Sequence, residues 1–179
     1  GYTLHDTGLV SVIKHKAQRV AVLMDVQNMY HSAKNLYNAR VNFKEVLKTA
    51  VAGRELVRAI GYVIKTESGD EKPFLEALVK SGIETKIKDL QIFPDGTKKA
   101  DWDVGMAVDA VRLSNTVMNA IVLVTGDGDF IPLVEYLQGR GIQTEVIAFG
   151  RSASQRLKET ADEFTDLGAD LKKYLMRIR

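Results

Sequence analysis

Residues Ile121–Ile131 read IVLVTGDGDFI: an apolar run, a threonine, then two aspartates separated by one glycine. The run is short and β-rich, which predicts a buried strand over Ala120–Val124. It ends in carboxylates, and two chemistries explain such an ending. Asp127 before Gly128 suits a turn, and Asp129 suits the N-cap of a helix carrying Pro132 in its first turn. The alternative is a metal site, and the rest of the chain bears on the choice.

Working outward, similar apolar runs predict strands at Arg19–Met24, Leu56–Lys65, Ile83–Lys88 and Gln143–Ala148. Helix-period segments lie between them, at Asn28–Tyr37, Phe43–Val51, Lys72–Ser81, Asp103–Ser114 and Phe130–Gln138. In the fourth, Val104, Ala107, Val108 and Val111 lie on one stripe, the expected apolar face. Strands and helices alternate, and the strands are near-continuously apolar. That pattern predicts an α/β fold with a parallel sheet covered on both faces. Asp89–Ala100 is the irregular part, with a turn at Pro94-Asp95-Gly96. Residues 1–18 read as a weakly patterned arm, 19–171 as the domain, and 172–179 as a basic amphipathic tail.

Composition bounds the function. The chain has 179 residues, 45% hydrophobic and 27% charged, as expected for one globular domain. A net charge of +2 excludes a strongly basic polyanion binder, so attraction to nucleic acid must be local. With no cysteine, disulfides, thiolate zinc sites and a cysteine nucleophile are excluded, which fits a reducing cytoplasm. His5, His15 and His31 lack zinc-ligand spacing. No apolar run approaches the roughly 20 residues of a spanning helix, so no membrane partner is expected. Gly1 in place of methionine suggests a trimmed or tagged start, and no secretory signal is read there.

Ligands of parallel α/β sheets bind beyond the carboxyl ends of the strands. The first strand ends in Asp25, with Gln27 and Asn28 beyond it. The fourth ends in Thr125, Gly126, Asp127, Gly128 and Asp129, and the helix feeding it starts near Asp101 and Asp103. Each acid has a local explanation as a cap or first-turn residue. Caps alone do not require that all stand at one edge. Crowded carboxylates repel unless a cation sits among them, and hard divalent cations take oxygen ligands. Such a site activates water and stabilises phosphoryl transfer, so the residues predict a Mg²⁺- or Mn²⁺-dependent phosphoester hydrolase. Trp102 between Asp101 and Asp103 points the two acids apart, so one of them is expected at the centre. Asp109, roughly 9 Å further along the helix, is expected to be a surface partner of Arg112.

Other motifs fail on spacing. Ile131 and Pro132 stand where an EF-hand needs a ligand and a glycine. There is no GxxxxGK[ST] loop, no GxGxxG after the first strand and no GxSxG elbow. A haloacid-dehalogenase-type phosphatase needs DxDx[TV] after its first strand, and Gln27 follows two residues after Asp25.

The run Lys99-Ala-Asp-Trp-Asp103-Val-Gly-Met-Ala-Val-Asp109-Ala, followed by Val124-Thr-Gly-Asp127-Gly-Asp129-Phe-Ile-Pro, resembles the NYN domain family, LabA-like branch, of the PIN-like nucleases. Asp25-Val-Gln-Asn28, Gly141-Ile-Gln-Thr-Glu-Val and Ala161-Asp-Glu-Phe-Thr-Asp-Leu extend the likeness over roughly Arg19 to Leu171. The resemblance implies a three-layer, Rossmann-like (PIN-like) fold and metal-dependent cleavage of RNA. Asp25, Asp103, Asp127 and Asp129 would be the catalytic, Mg²⁺- or Mn²⁺-binding acids, with Asn28 and Thr125 as polar neighbours. Asp101 stands where the wider family often has a small or apolar residue. The products would carry a 5′-phosphate and a 3′-hydroxyl. RNA approaching an acidic centre needs a basic rim, for which Lys98, Lys99, Arg151, Arg156 and Lys158 are the candidates. Tyr30 or Phe149 is expected to stack a base. The competing expectation is a LabA-like regulatory or RNA-binding module that keeps the pocket with little turnover. The arm and the basic tail suit contacts within a homo-oligomer or in RNA capture.

Overall fold

The computed structural model describes residues 12–66 and 71–177, with the Lys99 side chain also outside the described set. The expected arm over 1–18 therefore lies partly outside the described residues, as do the last two residues of the tail. In chain order the strands are β1 (Arg19–Asp25), β2 (Ala39–Val41), β3 (Glu55–Lys65), β4 (Glu84–Asp89), β5 (Gln91–Ile92), β6 (Lys98–Lys99), β7 (Ala120–Val124), β8 (Gln143–Ala148), β9 (Glu163–Asp166) and β10 (Leu175–Arg177). The helices are α1 (Val26–Tyr37), α2 (Phe43–Val51), α3 (Lys72–Lys80), α4 (Asp103–Ser114), α5 (Ile131–Gly139), α6 (Gln155–Thr160) and α7 (Leu171–Tyr174).

The central sheet has six strands in the order β4-β3-β1-β7-β8-β9. All its pairings are parallel. The chain steps from β1 to β3 and β4, then crosses back to β7 and continues to β8 and β9. The order therefore reverses between β1 and β7, and a crevice opens beyond their carboxyl ends.

Side chains alternate across each strand, so β1 feeds two cores. Val20, Val22 and Met24 pack with Met29, Ala33, Val46 and Leu78 on one face. Ala21 and Leu23 pack with Met106, Ala110, Val134 and Leu137 on the other. β7 divides the same way, with Val122 and Val124 on the first face and Ile121 and Leu123 on the second. These residues are buried, and the valines, leucines, isoleucine and methionines among them each stabilise by about 1.5–3 kcal/mol through area removed from water. The result is the three-layer α/β sandwich expected from the apolar runs.

Local signals bound the helices. Asp25 caps α1, its side chain accepting from the Asn28 N–H, and Asn38 ends it at φ 49°. Asn42 caps α2, and Pro73 and Pro132 stand in the first turns of α3 and α5.

The structure corrects the expected face of α4. Met106, Ala110 and Leu113 are buried and Ala107 and Val111 pack partly buried against the same core, whereas Val104 is 76% and Val108 42% exposed. The helix is apolar on several sides, so periodicity alone does not choose its inner face. Tertiary contacts choose it: a Cβ on Gly105 would stand 2.7 Å from the Trp102 ring, so only glycine lets the indole lie there. The Trp102 Nε1–H donates to the Val63 carbonyl at 3.0 Å. Asp109 is also corrected. It is buried and accepts from Tyr62 Oη and Lys86 Nζ, both at 2.7 Å, rather than pairing with Arg112 on the surface.

Several short strands were not expected from local pattern. The irregular stretch contains the β5–β6 hairpin around Gly96, whose φ is 85°. β9 extends the sheet edge beside β8, and β10 pairs antiparallel with β2. Tyr174, just before β10, is buried and its hydroxyl lies 2.7 Å from Thr49 Oγ1.

Candidate metal centre

Asp25 is the last residue of β1, Asp127 follows β7, and Asp103 opens α4. One carboxylate oxygen from each lies within 4.8 Å of the others. The fold brings these acids together from positions far apart in the chain because β1 and β7 are neighbours at the point where strand order reverses.

Caps and cluster coexist. Asp25 Oδ1 accepts from the Asn28 N–H and Oδ2 from Thr125 Oγ1, both at 3.1 Å. Asn28 Oδ1 in turn accepts from the Gly126 N–H at 3.0 Å, and Thr125 Oγ1 from the Asp127 N–H at 3.2 Å. This ring of hydrogen bonds ties the end of β1 to the TGDGD loop. Asp127 Oδ1 caps the 3₁₀ turn Gly128–Phe130 by accepting from the Asp129 N–H at 2.9 Å. Its Oδ2 accepts no hydrogen bond among the described residues, nor does the Asp103 carboxylate.

The glycines of the loop are needed for close approach. A Cβ on Gly126 would stand 3.0 Å from Ala153 Cα, and one on Gly128 would stand 2.9 Å from Ser154 Oγ. The Ser154 N–H donates to the Gly126 carbonyl at 2.9 Å, locking the loop after β8 onto the loop after β7.

The electrostatics are those of crowded acids. Burial pushes the Asp103 carboxyl up to about 7, with Asp127, Asp101, Asp25 and Asp129 adding like-charge repulsion. Asp25 is also raised, mainly by burial, against the pull of the Asn28 N–H and Thr125 hydroxyl. The acids open into a cleft of about 460 Å³, and no lysine or arginine is among its lining residues. Hard oxygen donors, unspent carboxylate oxygens and repulsion unrelieved by any lining cation fit a hard divalent ion.

Asp129 and Asp101 line the same cleft but lie outside the three-acid group. Asp101 is exposed and its Oδ1 accepts from the Asp103 N–H at 3.1 Å, ordering the start of α4. Its carbonyl accepts from Lys88 Nζ at 3.0 Å, and that ammonium lies 4.4 Å from the Trp102 ring centre.

The basic candidates stand further out. Lys98, Arg151, Arg156 and Lys158 are not among the residues lining the cleft. Lys158 is half-buried and donates to the Gly150 carbonyl at 2.6 Å, so it braces the loop after β8. The Arg151 guanidinium lies 5.9 Å from the Tyr37 ring centre. Arg156 and Lys98 are exposed, and the Lys99 side chain lies outside the described residues. Phe149 is fully buried against Tyr37, which rules out the expected base stacking there; Tyr30 is 45% exposed. Sequence reading missed His31, Ser32, Asn35 and Ser152, which also line the cleft. The signal for the first three was a polar spacing along α1, which looks like any solvated helix face.

Residues 19–168 match the family model of the NYN domain. The chain belongs to the NYN domain family. Its six-stranded sheet and flanking helices are the PIN-like architecture of that family. It is similar to the "Low amplitude and bright protein LabA" of Synechococcus elongatus, 25% identical and spanning 89% of both chains. It is 31% identical to an uncharacterized protein of Methanocaldococcus jannaschii, matching 90% of this chain and 63% of that one. A Vibrio parahaemolyticus protein of unknown function has a similar crystal structure, with a TM-score of 0.81 and 30% identity, covering 92% of this chain and all of that one. Among the described residues, no helix is long and apolar enough to cross a membrane.

Proposed function

We propose that this NYN domain is a divalent-metal-dependent ribonuclease that hydrolyses RNA phosphodiester bonds. The observation that carries this reading is the convergence of Asp25, Asp103 and Asp127 beyond the switch point of the sheet. Bound Mg²⁺ or Mn²⁺ would supply Lewis acidity toward the scissile phosphate and an activated water for in-line attack. Asp25, Asp103 and Asp127 would hold it, and Asp129 would reach the same centre from the exposed lip of the cleft. Thr125 and Asn28 fix the Asp25 carboxylate and the TGDGD backbone, so the site is positioned before substrate arrives. Asp101 would set the start of α4 and add negative charge rather than a direct ligand. The products would carry a 5′-phosphate and a 3′-hydroxyl. Lys98, Lys99, Arg151 and Arg156 would guide the RNA backbone over the rim, with Lys158 bracing the loop that carries Arg151. The protein would act in the cytoplasm.

The test is cleavage of an end-labelled single-stranded RNA with Mn²⁺, with EDTA, and with Asp127→Asn purified identically. Asparagine also caps helices, so the 3₁₀ turn should survive and the fold with it. The expected result is Mn²⁺-dependent cleavage that the variant loses by about a hundredfold or more. Cleavage retained by the variant, or absent throughout, would leave a LabA-like regulatory or RNA-binding module as the better reading.

A further inference from the structure

The cleft is not uniformly acidic. Its floor carries the aspartates, but one wall is helix α1, and the residues it offers are Gln27, Asn28, His31, Ser32 and Asn35. They recur at spacings of three and four, so they form one stripe along the helix, roughly 10 Å long from Asn28 to Asn35. Every member is uncharged or weakly basic and able to donate and accept hydrogen bonds. Two are already engaged: Asn28 Oδ1 with the Gly126 N–H, and Ser32 Oγ with Ser152 Oγ at 3.1 Å across the cleft. The side chains of Gln27, His31 and Asn35 make no hydrogen bond among the described residues, although the His31 ring lies edge-on to Tyr30 at 5.5 Å.

This wall is not an electrostatic track, because no lysine or arginine lines it. Nor is it a broad stacking platform: Leu36 is its one apolar lining residue, the His31 ring already lies edge-on to Tyr30, and Phe149 is buried elsewhere. What remains is recognition by hydrogen bonds, the chemistry that sugar hydroxyls and base edges offer. The 2′-hydroxyl, both donor and acceptor, is what distinguishes RNA from DNA at such a place.

We propose that His31 and Asn35, on the α1 wall of the cleft, form a nucleoside subsite that hydrogen-bonds the ribose of the nucleotide beside the scissile phosphate and makes the site prefer RNA to DNA. The assignment rests on the ribonuclease reading for the word scissile, but the binding it describes does not require turnover. Both side chains are exposed at the cleft, so truncating them should leave the fold intact.

The experiment measures binding apart from cleavage. A fluorescently labelled eight-nucleotide single-stranded RNA and the DNA of the same sequence are titrated with the full chain, His31→Ala and Asn35→Ala. Anisotropy is read in Ca²⁺ buffer, and the oligonucleotides are checked for integrity on a gel afterwards. Melting curves and Mn²⁺ titrations of the same proteins serve as controls. The subsite requires the native chain to bind RNA more tightly than DNA. Each variant should weaken RNA binding roughly three- to tenfold, leave DNA binding nearly unchanged, and keep the native Mn²⁺ affinity. Equal loss for RNA and DNA, no loss for either, or a native chain that does not discriminate would each overturn it. Failure of the nuclease reading would show instead as absent cleavage with this discrimination intact.

Discussion

Asp103 concentrates the physics of the site. Its carboxyl is pushed from 3.8 to about 7 by burial first and by four neighbouring acids second. An acid whose pKa is raised on folding binds its proton more tightly in the native than in the unfolded chain. The contribution of Asp103 to native stability is therefore fully present below the unfolded pKa and is lost as pH climbs from about 4 to about 7. Asp25, shifted in the same direction, adds to the decline. A divalent cation that replaces the protons should cancel it. In EDTA, the melting temperature of the native chain should fall between pH 5 and pH 7.5 relative to Asp103→Asn. Mn²⁺ should raise the native melting point more at the upper pH than at the lower. Parallel curves for the two proteins, in both buffers, would mean that Asp103 is not crowded as its surroundings imply.

At the scale of elements, Asp103 stands where it does because α4 is anchored at several points. Trp102 is bonded to β3, Lys88 of β4 reaches the Asp101 carbonyl, and Asp109 is gripped by Tyr62 of β3 and Lys86 of β4. Burial opposes charge on Asp109, but Lys86 and Tyr62 outweigh it and hold the carboxyl below its usual range. Tyr62, buried and donating to that carboxylate, is pushed well above the ordinary phenol range. Asp109→Ala would leave the Tyr62 hydroxyl unpaired in the core and Lys86 without its partner. The expected cost is about 2–3 kcal/mol, a fall of roughly 5–10 °C in melting temperature. Mn²⁺ affinity should weaken too, because the helix that carries Asp103 loses an anchor. A melting point within a degree or two of native, measured by scanning calorimetry, would contradict this role.

The strands were legible because β1, β3, β7 and β8 are apolar runs, and the carboxylate edge was legible because Asp25 and Asp127 stand within three residues of the ends of such runs. The inner face of α4 was not, since Val104 and Val108 satisfy helical periodicity as well as Met106 and Ala110 do. What decides is a contact of Gly105 with Trp102 and a salt link from Asp109 to Lys86 of β4. The β2–β10 pair joins segments more than a hundred residues apart, with only a few residues in each, too short to announce themselves. The same limit hid His31 and Asn35: polar residues on a helix gain meaning only when the facing wall is known.

For the whole molecule, the two edges of the sheet divide the work. The amino edge is closed by Arg54, buried and bidentate to Glu145 at 2.8 and 3.0 Å, with Lys14 bridging Glu145 and Glu163. Acids there are matched by cations, so that edge carries no uncompensated charge. The carboxyl edge gathers acids that no lysine or arginine lining the cleft neutralises, at the one place where strand order reverses. Charge left unmatched in a folded protein is a cost, and a bound cation would offset it here. The most direct measurement is anomalous diffraction from crystals soaked in Mn²⁺ at neutral pH. A manganese peak should appear about 2.1–2.2 Å from oxygens of Asp25, Asp103 and Asp127. A cleft with no peak at saturating Mn²⁺, or a peak bound only elsewhere on the surface, would contradict the metal centre and the nuclease mechanism that depends on it.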